Sequence, residues 1–120
     1  MKILQVHNFY QIYGGECAVV NAERKLLQEG GHEVVQFTKN SREIDTMSSI
    51  QKISMLCGID SNKRACAEIV SFVKRHAPDV AHVHNVFPLL SPGIYRALND
   101  SGIPVVQTHH NYRVLCPNGL

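Results

Sequence analysis

The sequence predicts an α/β fold in which a parallel sheet is flanked by helices. Two observations predict it: short apolar runs of strand length alternate with longer amphipathic segments, and glycine or proline stands at most of the boundaries between them. Strand–helix–strand units make right-handed crossovers, so all the strands would end at one edge of the sheet. Ligands bind at that edge in open α/β sheets, and a site is therefore expected there.

The first strand and helix are predicted from the N-terminal quarter of the chain. Strand one covers about residues 2–7, and a loop over residues 8–15 follows it. The helix then runs from about residue 16 to 29, where Gly30 and Gly31 can end it as a C-terminal cap. Its apolar residues at near-helical spacing are expected to form the buried stripe: Ala18, Val19, Ala22, Leu26 and Leu27.

The middle of the chain is predicted to contain a second strand and two helices. Strand two covers residues 32–38, residues 40–46 are predicted as loop, and the segment after them as a weakly amphipathic helix. Asp60 or Ser61 is expected to cap the next helix, over residues 62–76. The buried stripe of that helix is predicted to comprise Cys66, Ile69, Val70, Val73 and Ala77.

Two further strands and one helix complete the predicted pattern. Strand three covers residues 78–84, and strand four covers about residues 103–109. Between them, Ser91 is a candidate N-cap with Pro92 in the first turn, and Gly102 is expected to end the helix. The residues of this helix that are predicted to face inward are Ile94, Tyr95 and Leu98.

Length and composition limit the class of protein. A chain of 120 residues with 44% hydrophobic content can form one domain with a core. Charged residues make up 18% and the formal net charge is +2, which argues against a dedicated nucleic-acid-binding protein. Neither a signal peptide nor a membrane span is recognisable, so a cytoplasmic location is expected. The four cysteines contain no Cys-x-x-Cys pair, and free thiols are expected.

A group of basic residues lies in the predicted helices of the middle segment. A solvated helix face is one interpretation of this group. Weak attraction to an anionic membrane surface, and hence a peripheral membrane contact, is the other. The group consists of Lys52, Lys63, Arg64, Lys74 and Arg75.

Histidine and asparagine stand at the ends of three of the predicted strands. The pairs are His7 with Asn8, His84 with Asn85, and His109-His110 with Asn111. Strand alternation places His82 and His84 on one face of the sheet. One interpretation makes His84 and Asn85 hydrogen-bond partners for the hydroxyl groups of a ligand. The other is a structural histidine bonded to backbone beside a solvated one.

The segment after strand four adds groups that can carry chemistry. Histidine titrates near neutrality, so His109 or His110 could act as a general base or orient a hydroxyl group. Arg113 could hold a phosphate or carboxylate through two hydrogen bonds. A zinc site is the competing interpretation of this histidine-rich edge, with ligands drawn from His82, His84, His109, His110 and Cys116.

The segment Gly14-Gly15-Glu16 stands between strand one and its helix. Glycine allows backbone amides to approach a ligand closely, and a helix N-terminus attracts anions. The segment is neither a Gly-x-Gly-x-x-Gly nor a phosphate-loop motif, which argues against a dinucleotide or nucleoside-triphosphate site. A plain tight turn, with Glu16 complementing the helix dipole, is the alternative.

Four segments together resemble a known family. They are residues 1–4 leading into Gly14-Gly15-Glu16, residues 31–34, residues 78–85, and residues 108–113 followed by 116–119. In these segments the chain resembles the N-terminal, acceptor-side domain of family 4 glycosyltransferases of the GT-B type. The last two segments, in this order and separation, are the specific ones, and the resemblance spans nearly the whole chain.

The resemblance implies a Rossmann-like domain that holds the acceptor in a retaining hexosyl transfer from a nucleotide-sugar. It implies that His110 is catalytic and that Gly14, Gly15 and Glu16 approach the donor diphosphate. The acceptor would lie near a group of polar residues that comprises His84, Asn85, Asn111, Tyr112 and Arg113. The fold type generally requires no metal, and no cofactor is expected beyond the nucleotide-sugar as co-substrate. Family habit suggests surface polysaccharide or glycolipid assembly, with a saccharide or lipid-linked saccharide as acceptor, at the inner face of the membrane.

The resemblance also carries expectations about chain organisation. Residues 1–120 are predicted to be an incomplete acceptor domain, because the nucleotide-sugar-binding domain of the family is absent from the sequence. A shortened sheet would expose an edge, so a homodimer or a swap of residues 39–59 is a further hypothesis. A non-catalytic small α/β ligand-binding module is the alternative function. An oxidoreductase is disfavoured, because Thr38-Lys39 stands where an acidic residue would be needed.

Overall fold

The computed structural model of this chain describes residues 1–9, 14–57 and 62–110. Their four strands form one parallel sheet with the order β2-β1-β3-β4. The fold is α/β and Rossmann-like, as the sequence predicts. The strands are β1 (Lys2–Phe9), β2 (Glu33–Asn40), β3 (Val80–Asn85) and β4 (Val105–Gln107). The helices are α1 (Gly15–Glu29), α2 (Ser49–Cys57), α3 (Lys63–His76) and α4 (Gly93–Asp100), with a 3₁₀ helix at Ser41–Thr46.

Strand alternation gives the sheet one apolar and one polar face. On the apolar face, Leu4 and Val6 of β1 and Val83 of β3 are fully buried. They form one core cluster with Ile69 of α3 and with residues of α4, because these two helices cover that face. The opposite face, which we call the polar face, lies under α1 and is formed by Gln5, His7, Gln36, His82 and His84.

Helix α1 is placed as predicted, but its predicted buried stripe is wrong. Ala18, Val19, Ala22 and Leu26 are exposed, with 68% of Leu26 accessible to solvent. Cys17 and Val20 are the buried residues instead. The physical reason is that α1 packs on the polar face of the sheet. The side of the helix that carries Glu23 faces His82 and His84, so the more apolar side faces solvent.

The helix ends differ from the prediction in two places. Asn62 caps α3, because its side-chain oxygen accepts the backbone N–H of Ala65 at 3.1 Å, whereas Asp60 and Ser61 lie outside the described residues. Ser91 does not cap α4, which Pro92 precedes directly. The Ser91 hydroxyl accepts the backbone N–H of Asn62 at 2.9 Å, so it fixes the start of α3.

Several other predictions about local structure are settled. Gly31 and Gly102 both have positive φ and follow α1 and α4, where helix ends were predicted. The 3₁₀ helix occupies the segment predicted as loop, and α2 confirms a helix after it. Of the predicted α3 stripe, Ile69 and Val73 are buried, and Ala77 is exposed. The third member of the inner α3 face is Ala65, which the prediction left out.

The remaining predictions concern the length of β4, the thiols and membrane-spanning helices. Strand β4 is shorter than predicted, three residues instead of seven. Cys17 and Cys66 are free thiols, as expected, and Cys116 lies outside the described residues. Within residues 1–9, 14–57 and 62–110, no helix has the length and apolar character needed to cross a bilayer.

Candidate functional site

Glu23 is the centre of the polar face. Its Oε2 atom lies 2.7 Å from Nε2 of His84 and 3.3 Å from Nδ1 of His82. Gln5 approaches the same oxygen through Nε2 at 3.4 Å and also donates to the carbonyl of Val20 at 3.1 Å. A carboxylate accepts hydrogen bonds only, so both imidazoles place their donating N–H group towards Glu23.

A second glutamine extends this network towards the outer strand. Gln36 of β2 donates from Nε2 to Oε1 of Gln5 at 2.7 Å. Its own Oε1 accepts from Nη1 of Arg24 at 2.9 Å, on the residue after Glu23 in α1. The amide of Gln5 is therefore oriented from both sides, with its NH₂ group held towards Glu23.

His84 connects Glu23 to His110. Nδ1 of His84 lies 3.0 Å from Nε2 of His110, and the two rings are nearly parallel, with 19° between their planes. Because His84 donates from Nε2 to Glu23, its Nδ1 atom is the acceptor in the neutral ring. His110 must then donate from Nε2, which leaves the lone pair of a neutral His110 on Nδ1.

His82 is held in the same way by the end of β4. Its Nε2 atom lies 2.8 Å from Oγ1 of Thr108, while its Nδ1 donates to Glu23. When the His82 ring is neutral, the hydroxyl of Thr108 is therefore the donor to it. The Thr108 backbone N–H also donates to the carbonyl of Val83 at 3.0 Å, which keeps this residue beside β3.

Burial keeps the inner histidines neutral. His7 is fully buried, and its burial, together with the nearby His84 and His110, lowers the pKa of its imidazole to about 4. Burial and the neighbouring His82 lower the pKa of His84 to about 4 as well, against the opposing attraction of Glu23. Both rings are consequently uncharged at neutral pH.

His7 lies beside this cluster without joining its hydrogen bonds. Its Nε2 atom is 3.8 Å from Sγ of Cys17, and its ring lies 6.1 Å from the ring of His84, centre to centre. Within the described part of the chain, its buried Nδ1 atom has no hydrogen-bond partner. His7 is thus a polar group that the sheet buries at the inner end of the cluster.

Asn8 and Asn85 hold the backbone at the strand ends. Asn85 donates to the carbonyl oxygens of Asn8 and Phe87 at 3.3 and 3.2 Å, and its Oδ1 accepts the backbone N–H of Phe87 at 3.1 Å. Asn8 is fully buried and donates to the hydroxyl of Ser41 at 2.9 Å. Asn8 therefore joins the end of β1 to the start of the 3₁₀ helix, and Asn85 holds the residues after β3 against the end of β1.

The glycine segment begins α1 at the same edge of the sheet. The carbonyl of Gly14 accepts the backbone N–H groups of Cys17 and Ala18 at 3.1 and 3.2 Å. Gly15 is exposed, and no atom of residues 1–9, 14–57 or 62–110 would lie within 4 Å of a Cβ built on it. Glu16 is half-buried in the first turn.

The comparisons decide between the classes of protein that this fold allows. Residues 13–115 match the family described as Glycosyltransferase Family 4, which covers most of the chain. The chain belongs to glycosyltransferase family 4. Neither the curated proteins nor the solved structures gave a match.

The structure places some of the site residues that the resemblance to this glycosyltransferase family implied. His84 and His110 are in contact, Asn85 borders them, and the Gly14–Glu16 segment begins α1. His109 is exposed. Asn111, Tyr112 and Arg113 lie outside the described residues, so the structure does not place them.

Glu23 is the central site residue that the sequence analysis missed. A signal for it exists, because Glu23 lies three residues after Val20 and six after Cys17, on one helical face. The predicted buried stripe of α1 followed the side with the most apolar residues, and Glu23 lies outside that stripe. Glu23, His82 and His84 are also the group of described residues whose ligand atoms come within 4.8 Å of one another, as metal binding would need.

Proposed function

We propose that this chain forms the acceptor-side domain of a retaining glycosyltransferase. In this reaction a sugar passes from a nucleotide-sugar to an acceptor hydroxyl, and a nucleotide-binding domain faces the edge of the sheet that carries His84 and His110. The family match supports the reaction class. The connected Glu23–His84–His110 side chains at the carboxyl edge support the location, since ligands of open α/β sheets bind there.

The proposed role of His110 rests on its tautomer. With the proton held on Nε2 by His84, the Nδ1 atom of His110 can accept a hydrogen bond from a hydroxyl group of the reacting sugars. Glu23 and His84 act as positioning residues, because they touch His110 or each other and not the substrate. Ring orientation is thereby set before substrate arrives, which favours reaction by preorganisation.

The glycine segment is the proposed contact for the donor diphosphate. The first N–H groups of a helix have no acceptor within the helix, and the helix dipole attracts anions. Among the described residues, no atom lies within 4 Å of the position that a Cβ on Gly15 would take, which supports this contact. In this proposal Glu16 contributes its backbone N–H, because its carboxylate would repel a phosphate.

The acceptor is proposed to be a saccharide or a lipid-linked saccharide of surface polysaccharide or glycolipid assembly. It would be surrounded by Asn85, Asn111, Tyr112 and Arg113. His84 would contribute indirectly, by holding the ring of His110 in position. A cytoplasmic position at the inner face of the membrane goes with such an acceptor.

A pair of adjacent histidines provides the test. Transfer from a panel of nucleotide-sugars to a lipid extract would be measured with the enzyme containing this chain, and product anomeric configuration by NMR. His110→Gln should reduce kcat by at least about 100-fold, the usual contribution of a positioned proton acceptor. His109→Gln is the matched control, because its side chain is exposed. Equal activity of the two variants would refute the role of His110, and an inverted product would refute retention.

A further inference from the structure

Helix α1 and strand β3 bring three side chains that can bind a metal ion together on the polar face. His82 and His84 stand two residues apart on β3 and face α1, while Glu23 projects from α1 towards them. Their ligand atoms lie within 4.8 Å of one another, and two of the separations are 2.7 and 3.3 Å. Ligand atoms of a tetrahedral zinc ion are about 3.3 Å apart, given bond lengths of about 2.0–2.1 Å.

We propose that Glu23, His82 and His84 form a binding site for a first-row transition metal ion, with Zn²⁺ as the ion that best matches these ligands. Two imidazoles and one carboxylate are the protein ligands of open zinc sites, which keep a fourth position for water or another ligand. Imidazole suits zinc, copper, iron and nickel, and disfavours magnesium and calcium, which prefer oxygen ligands.

Each imidazole ligand already has the outer partner that metal sites use. The far nitrogen of His82 contacts the hydroxyl of Thr108 at 2.8 Å. The far nitrogen of His84 contacts His110 at 3.0 Å. Such partners fix the tautomer and the ring orientation of a ligating histidine, and their loss usually weakens metal binding by about 10–100-fold.

Burial also favours a specific site over a superficial one. The His84 side chain is inaccessible to solvent, and 15% of His82 and 27% of Glu23 are accessible. Helix α1 and strand β3 belong to the packed fold, so the ligands are held before any ion binds. This site differs from the zinc site that the sequence suggested, since Glu23 takes part and His109 does not.

Metal binding would rearrange the protons of the two ligating rings. To bind an ion, His82 must free Nδ1 and His84 must free Nε2, so each proton moves to the opposite ring nitrogen. His82 then donates to Thr108, and His84 donates from Nδ1 to Nε2 of His110. The proton of a neutral His110 consequently moves from Nε2 to Nδ1, with no net release from the three rings.

That shift would remove the lone pair that the proposed function uses on Nδ1 of His110. Zn²⁺ bound at this site should therefore inhibit transfer. This consequence rests on the proposed function, whereas the metal site itself does not. Binding and inhibition are thus tested separately.

Metal binding is measured on the tag-free, chelator-treated chain. Calorimetry with Zn²⁺ should give one equivalent bound with micromolar or tighter Kd, and Co²⁺ should give the intense visible absorption of a four-coordinate ion. Glu23→Gln and His82→Gln should each weaken binding by at least about 10-fold, and His109→Gln should leave it unchanged. Circular dichroism of the metal-free variants checks that each one folds.

Thr108→Val provides a second variant that keeps all three ligands. It should weaken Zn²⁺ binding by about 10-fold, because His82 loses its outer partner. An unchanged Kd in both Glu23→Gln and His82→Gln would overturn the proposal, since the ion would then bind elsewhere. Absence of stoichiometric binding by the folded wild-type chain would overturn it as well, without touching the proposed transferase function.

Discussion

Nδ1 of His84 and Nε2 of His110 lie 3.0 Å apart, and this contact joins the buried polar face to the open edge of the sheet. His84 is bonded to Glu23 through its other nitrogen at 2.7 Å. The carboxylate of Glu23, which projects from α1, thus determines which nitrogen of a neutral His110 carries its proton.

Glu23→Gln should lower the transfer rate by acting through His110. The amide keeps the size of the side chain, but it replaces a carboxylate acceptor and loses its charge-assisted hydrogen bond to His84. We expect kcat to fall about 10-fold, with little change in the KM for the donor. Glu29→Gln is the control on the same helix, where the side chain is exposed.

Steady-state kinetics and thermal denaturation midpoints of these two variants test whether Glu23 positions His110 or only stabilises the fold. A fall in kcat at an unchanged midpoint identifies a positioning role. If Glu23→Gln and Glu29→Gln had equal kcat values, Glu23 would have no part in the reaction.

Two neighbouring valines test the orientation of α1. Val20→Ala removes a fully buried side chain and should lower the free energy of unfolding by about 2 kcal/mol, from lost burial and the cavity left behind. Val19→Ala changes a side chain that is 46% accessible, and it should alter the free energy of unfolding by less than about 0.5 kcal/mol. Urea denaturation measures both. The reverse order would support the stripe that the sequence suggested.

The fold was predictable from sequence because its main signals are local. Apolar runs such as Leu4 to Val6 and Val80 to Val83, separated by helices, define a parallel sheet with its carboxyl edge at the histidines. The face of α1 was not predictable in the same way. Its position depends on Gln5, His82 and His84 in the sheet, which make a polar surface where an apolar one is usual.

The buried histidines should make stability depend on pH. The pKa values of His7 and His84 are about 4 in the folded chain, compared with 6.5 for an ordinary histidine. Between these values the unfolded chain binds more protons, so the free energy of unfolding falls as pH drops from 6.5 towards 4 and is fully retained above 6.5. From pH 7.5 to 5.5 the titration of the two histidines together should lower the free energy of unfolding by about 3 kcal/mol.

Urea denaturation at both pH values, with a chelator present, measures this loss. His7→Gln should remove about half of the pH-dependent part, whatever its effect at pH 7.5. His109→Gln, at an exposed position, serves as the control. An identical pH dependence in His7→Gln and the wild-type chain would show that His7 is not the titrating group.

Zn²⁺ should inhibit transfer only where its site is intact. We expect micromolar Zn²⁺ to reduce the rate of the wild-type enzyme by at least about 10-fold, and a chelator to restore it. His82→Gln retains the contacts of Glu23 and His84 but lacks one ligand, so its rate should be the same with and without Zn²⁺. Inhibition of equal extent in His82→Gln would place the inhibitory ion elsewhere.

The site was predictable only in part, because its residues come from distant parts of the chain. His84 lies near the end of β3 and His110 follows β4, and their meeting at one edge follows from the parallel topology. Glu23 lies in mid-helix, and its spacing from Cys17 and Val20 is a weaker local signal than the more apolar stripe on the other side of α1. Only the packing of α1 on the polar face brings it to His82 and His84.

The most direct test of the account is the tautomer of His110 in the metal-free chain. Long-range ¹H–¹⁵N correlation spectra at neutral pH distinguish a protonated ring nitrogen from a bare one, and His110→Gln assigns the signals. For the neutral form of the His110 ring, the contact with His84 predicts a proton on Nε2 and a bare Nδ1. A proton on Nδ1 of His110 would contradict the proposed connection from Glu23 through His84.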